Sequence, residues 1–158
     1  MRQLGIKTIP MKRRKGIALI AHDNRKADLM AWAKFNMGSL AKHELYATGT
    51  TGRVLATELG LEVTRFRSGP LGGDQQVGAH IAEGKIDFVL FFWDPLEPHS
   101  HDVDVKALLR IAVVYNIPIA CNRASTDFMI SSPLMSEEYQ HLVEDYEERI
   151  GVQAGAEV

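Results

Sequence analysis

Reactive residue types in this chain fall in short polar clusters, each directly after an apolar run. His22-Asp23 follows Gly16 to Ala21, and Lys26 comes one helical turn later. Thr48-Gly49-Thr50-Thr51-Gly52 follows Glu44 to Ala47, and Ser68-Gly69-Pro70-Leu71-Gly72-Gly73-Asp74 follows Glu62 to Phe66. Asp94-Pro95 follows Asp87 to Trp93 and leads into His99-Ser100-His101-Asp102, while Asn122 follows Pro118 to Cys121.

Each cluster suits a definite chemistry. In Thr48 to Gly52, two glycines let the backbone approach an anion, three hydroxyls donate, and a following helix would add free N–H groups and a positive dipole end. The Gly-Lys-Ser/Thr ending of a P-loop is missing. A plain turn with helix capping is the competing reading; Lys26 and Ser68 favour the phosphate cradle. The glycines from Gly69 to Gly73 cost chain entropy, which suits a close backbone approach to a ligand. Asp74 then reads either as a first-turn helix carboxylate or as a general base acting on carbon beside a carbonyl. The His99-Ser100-His101-Asp102 spacing invites a metal reading, but no fourth ligand at secure spacing and no HExxH pair accompany it. A histidine polarising a substrate oxygen fits better. His99 itself reads as a solvated loop residue, His43, His80 and His141 as surface residues, and Trp32 and Trp93 as core.

The elements between these clusters explain their common placement. The apolar runs are mostly continuous, which predicts strands buried on both faces. Helical patterns separate them. Asn24 is a candidate cap for a helix carrying Leu29, Met30, Trp32 and Ala33. Gly52 to Leu59 is predicted to end at Gly60, and Gly73 to Glu83 at Gly84. Val103 to Tyr115 has a helix-period apolar stripe, and a last helix is expected over Ser136 to Ile150. Lys12 to Lys15 read as part of a solvated basic lead-in spanning residues 1–15, with residues 151–158 as a frayed tail. Strand-helix alternation predicts an α/β fold with a parallel sheet, whose ligands bind beyond the carboxyl ends of the strands.

Composition excludes several classes. The 158 residues are 46% apolar and 24% charged, normal for one globular domain. A net charge of −2 gives no global field for nucleic acid or an anionic membrane. Cys121 is the single cysteine, so no intrachain disulfide forms, which fits a cytoplasmic location. The run Phe88 to Trp93 is strand-length and too short to span a bilayer.

Several segments resemble the signatures of the methylglyoxal synthase family. They are Ala18-Leu19-Ile20-Ala21-His22-Asp23, Tyr46-Ala47-Thr48-Gly49-Thr50-Thr51-Gly52, Ser68-Gly69-Pro70-Leu71-Gly72-Gly73-Asp74-Gln75-Gln76, Phe91-Phe92-Trp93-Asp94-Pro95-Leu96, and the stretch His101 to Arg110. The resemblance runs from about Gly16 to about Asn122, with weaker similarity to Tyr146. It implies a single three-layer αβα domain, usually assembled as a homohexamer. It further implies conversion of dihydroxyacetone phosphate to methylglyoxal and phosphate without metal or organic cofactor, with phosphate as inhibitor. By position, Asp74 matches the catalytic base and His101 the residue at the carbonyl and hydroxyl oxygens. His22, Lys26, Thr48, Gly49, Thr50, Thr51, Ser68 and Gly69 match substrate and phosphate contacts; Asp94 and Asp104 match supporting acids. Gln153 stands where some relatives carry a phosphate-contacting arginine, with Arg149 four residues earlier, so no C-terminal clamp is carried over.

Two other classes compete. A phosphometabolite-sensing regulatory domain of the same fold would need the cradle but no proton-abstracting Asp74. A triose phosphate isomerase would share base and electrophile and release no phosphate.

Overall fold

A computed structural model describes residues 5–147 and 150–151. The elements in chain order are β1 (Ile6–Met11), β2 (Gly16–Ala21), α1 (Lys26–Phe35), α2 (Met37–Leu40), β3 (Glu44–Ala47), α3 (Gly49–Leu59), β4 (Val63–Arg65), α4 (Gly73–Ala82), β5 (Phe88–Phe92), α5 (Asp102–Val114), β6 (Ile119–Ala120), α6 (Arg123–Ile130) and β7 (Tyr139–Glu144).

Five strands form one sheet in the order β4-β3-β2-β5-β6, and every pairing in it is parallel. β2 is buried at every residue. Its side chains alternate between two apolar clusters: Ile17, Leu19 and Ala21 on one face, Ala18 and Ile20 on the other. The first face packs against Leu29, Trp32 and Ala33 of α1 and Leu55 of α3. The second packs against Val77 and Ile81 of α4 and Val105 and Leu108 of α5. Helices thus cover both faces, and the three-layer αβα domain with a mainly parallel five-stranded sheet is observed. Trp32 is fully buried, and its indole N–H finds the acceptor such burial requires in Asp127 Oδ1 of α6, at 2.9 Å. Gly60 and Gly84 take positive φ, as expected of glycines after a helix. Trp93 is half-buried against the second cluster, less enclosed than expected.

The chain ends differ from expectation. Tyr139–Glu144 is a strand, not the middle of a helix over Ser136 to Ile150. Burial alternates there, with His141 and Val143 inside and Tyr139, Gln140, Leu142 and Glu144 outside. A period of two is a strand's signature. Its partner is β1, inside the segment read as a solvated lead-in, and the two run antiparallel from Ile6↔Glu144 to Met11↔Tyr139 as a separate two-stranded ribbon. Pro10 is tolerated because this ribbon has no central strand. Lys15 is buried as well: its ammonium donates to Lys12 O and Glu137 O, both at 2.8 Å. The expected tail, 151–158, lies outside the described residues from 152 onward.

α6 was not anticipated. Asn122, expected as a polar strand end, caps it by accepting from the Ser125 N–H at 2.8 Å. His43 and His141, expected on the surface, are buried; His43 Nδ1 accepts from the Lys15 N–H at 3.0 Å. His80 is half-buried and packs its ring against Phe66.

Candidate active site

The strand ladders deliver the polar clusters to one place. The His22 N–H donates to Phe92 O, carrying the β2–β5 ladder one residue past β2. The Gly49 N–H donates to Arg67 O, doing the same between β3 and β4, and so sets Thr48 beside Ser68. Gly49 takes φ +57°, which lets the chain turn there and enter α3. The N–H groups of Leu71 and Gly73 both donate to Ser68 O, folding the glycine-rich loop back so that Asp74 enters the first turn of α4. The β5–α5 connection then brings His99 and His101 over the same strand ends.

A cleft of about 120 Å³ results. His22, Lys26, Thr48, Gly49, Ser68, Gly69, Asp74 and His101 line it, all expected from sequence. Asp23, Pro70 and His99 line it too, and sequence reasoning had given these no site role. The spacing of His99 from His101 was the available signal for that residue. Thr50, Thr51, Asp94 and Asp104 stand one layer out. Thr50 Oγ1 accepts from the Lys26 ammonium at 2.7 Å, and Lys26 also pairs with Asp23 Oδ1 at 2.8 Å. Thr51 Oγ1 is buried without a partner among the described residues. α3 carries no N-cap side-chain bond, so its first turn keeps donors for an anion. Asn24, expected to cap α1, donates instead to Asp94 Oδ2 at 3.0 Å.

The centre of the cleft is a buried pair. Asp74 Oδ2 and His101 Nδ1 meet at 2.6 Å, while Asp74 Oδ1 is buried with no partner among the described residues. Burial pushes the Asp74 carboxyl up, and nearby Asp104 adds in the same direction; the hydrogen bond and charge of His101 oppose them without cancelling the rise. The carboxylate is thus made more basic with one oxygen free.

His22 is held in one protonation form. Burial, and then the neighbouring His99 and His101, lower its pKa to about 4. Its Nδ1 accepts from the Asp94 N–H at 3.1 Å, so the neutral ring carries its hydrogen on Nε2. The Asn24 hydrogen bond, helped by the Leu96 N–H, keeps the Asp94 carboxyl below its ordinary range. His99 is not a solvated loop residue: its ring stacks on His22 with centroids 3.7 Å apart.

Ring nitrogens of His22, His99 and His101 lie within 4.8 Å of one another, close enough to raise a metal. The hydrogen bonding opposes one. Nε2 of neutral His22 offers a hydrogen where a ligand must offer a lone pair.

Residues 28–121 match the family model described as the MGS-like domain. A methylglyoxal synthase of Cellvibrio japonicus is 56% identical over 140 residues, covering 89% of this chain and 91% of that protein. The chain belongs to the methylglyoxal synthase family. A methylglyoxal synthase of Saccharophagus degradans is 60% identical over 134 residues, covering 85% and 87% of the two chains. The crystal structure of methylglyoxal synthase from Elizabethkingia anophelis NUHP1 superposes with a TM-score of 0.85 at 51% identity, covering 92% of this chain and 95% of that one. Methylglyoxal synthases are lyases, and the cleft beyond the strand ends is where a parallel sheet of this order holds a ligand. Arg149 and Gln153 lie outside the described residues. Among the described residues, no helix is long and apolar enough to cross a membrane.

Proposed function

We propose that this protein is a carbon–oxygen lyase that converts dihydroxyacetone phosphate to methylglyoxal and inorganic phosphate. The observation that carries the reading is Asp74, which lines the cleft with one carboxylate oxygen held by His101 and the other without a partner among the described residues. The phosphate docks on Lys26, Thr48, the first turn of α3 with Gly49, Thr50 and Thr51, and the Ser68-Gly69 backbone. The Nε2–H of His22, together with His101, faces the carbonyl oxygen. Asp74 Oδ1 takes a proton from the hydroxymethyl carbon, and the C–H electron pair moves into an enediolate. Donors at that oxygen are worth about 3–4 kcal/mol each in comparable sites. The enediolate electrons then expel phosphate with the C–O bond pair, leaving an enol that tautomerises to methylglyoxal. Asp94 fixes His22 through its amide, and Asp104 raises the basicity of Asp74 from behind. No metal and no organic cofactor takes part.

A homohexamer in the cytoplasm accompanies this reading. Exposed Phe35 and Phe128 support assembly, and the single cysteine suits a reducing compartment. Incubation of pure protein with dihydroxyacetone phosphate tests the activity: methylglyoxal and phosphate should appear in equal amounts. Glyceraldehyde 3-phosphate without phosphate would identify an isomerase; binding without turnover would identify a sensor.

A further inference from the structure

His22 is boxed on several sides. Phe91 meets its ring edge-on with centroids 5.1 Å apart, His101 meets it at 5.4 Å and 88°, and the Asp94 N–H binds Nδ1. Among the described residues, His99 is the one aromatic ring stacked on its face, at 3.7 Å and 28°. His99 is itself fixed by a closed turn at the start of α5. Its N–H donates to Asp102 Oδ2 at 3.2 Å, and the Asp102 N–H donates back to His99 O at 3.3 Å.

We propose that His99 is a positioning residue: its stacked ring holds His22 in the orientation that keeps Nδ1 on the Asp94 amide and leaves the Nε2–H for a substrate oxygen. The proposal rests on the use of His22 at that oxygen in the reading above. Among the described residues, Nε2 of both rings is buried without a partner, so none of these residues anchors either ring through that nitrogen. Packing on the face and the single bond to Asp94 therefore set the rotation of His22. Two imidazoles this close do not both carry charge at low cost, so the stack belongs to neutral His22. The depressed pKa of His22, with His99 second among its causes, agrees with that. A donor that rotates out of place weakens the transition state more than ground-state binding, because the oxygen gains charge only as the proton leaves.

The test compares His99→Ala, His99→Phe and His99→Leu with wild type by kinetics and by nitrogen-15 chemical shifts of His22 at neutral pH. Wild type should show one neutral tautomer with hydrogen on Nε2. His99→Ala should show mixed tautomers, kcat lowered about tenfold and KM within about threefold of wild type. His99→Phe restores a flat face without a titrating nitrogen, so it should recover the tautomer and most of kcat. His99→Leu fills the volume without a flat face and should behave as the alanine variant does; it replaces that variant if His99→Ala does not fold. Unchanged tautomer and kcat within twofold of wild type in the alanine or leucine variant overturns the proposal, and so does failure of His99→Phe to recover them. His22→Ala separates the two levels: if it retains wild-type kcat, the role of His22 at the oxygen is wrong, whereas the tautomer reads the stack independently of turnover.

Discussion

Gly69 lies directly beneath the ring of His101: a Cβ at Gly69 would stand 2.6 Å from His101 Cε1 and 2.8 Å from its Nδ1, with Asp74 Oδ2 at 3.1 Å. The closeness of the Asp74–His101 pair therefore depends on a missing side chain in the same loop that leads into Asp74. Gly69→Ala must push the pair apart or shift the loop. The expected outcome is a fall in kcat of about a hundredfold with an unchanged circular dichroism spectrum. Near-normal kcat would show that the 2.6 Å contact is not needed for turnover.

Asp74→Asn should lose turnover by at least about a thousandfold while retaining affinity for inorganic phosphate, measured by calorimetry. It should also unfold at a higher temperature at neutral pH. The folded-state carboxyl titrates above its ordinary 3.8, so its ionisation costs stability as pH rises through that value and beyond. The amide removes the cost. The advantage should shrink as pH falls and vanish below 3.8, where wild type becomes protonated folded and unfolded alike. A variant less stable than wild type at pH 7 would contradict this.

His22 gives the opposite slope. Its pKa falls from 6.5 unfolded to about 4 folded, so the unfolded chain takes up the proton first as pH drops. Stability is full above 6.5 and declines by about 3 kcal/mol as pH falls toward 4, at 1.36 kcal/mol per pKa unit. Buried His43, lowered by burial and by Lys15, adds loss of the same sign. Urea unfolding at pH 7.5 and 4.5 should show His22→Gln losing less stability over that interval than wild type. Equal losses would mean His22 is as protonatable in the fold as in water.

Lys26 bridges Thr50 and Asp23 at the mouth of the cleft. Lys26→Met should raise KM at least about tenfold and weaken inhibition by inorganic phosphate in parallel, since both carry the same anion. A raised KM with undiminished phosphate inhibition would put Lys26 elsewhere on the substrate.

Prolonged exposure to a strong chelator should leave activity unchanged. The Asp94 N–H on Nδ1 of His22 is the reason, because it leaves hydrogen on Nε2. Activity lost to chelator and restored by zinc would mean that His22 turns over and joins His99 and His101 as a ligand.

Much of the site was legible because it obeys local rules. The continuous apolar run Gly16 to Ala21 could only be a strand covered on both faces, and every cluster expected at a strand end was found at one. What sequence missed depends on contacts between distant segments. Burial of Lys15 depends on the carbonyl of Glu137. The stacking of His99 on His22 depends on a loop crossing over the end of β2, which spacing alone does not specify. Over Tyr139–Glu144 the expected C-terminal helix lost to the alternation of His141 and Val143, whose inward positions have meaning only beside β1, while Tyr146, Glu147 and Ile150 are helical.

That pairing joins the first and last described strands of the molecule, Ile6 with Glu144 and Met11 with Tyr139. Among the described strands this pairing closes the longest loop and carries the largest closure entropy, so the ribbon should zip up after the five-stranded sheet has condensed. During synthesis β1 must wait unpaired until β7 has left the ribosome. A chain that ended before Tyr139 would leave β1 as an open strand edge, and such an edge invites pairing with another chain.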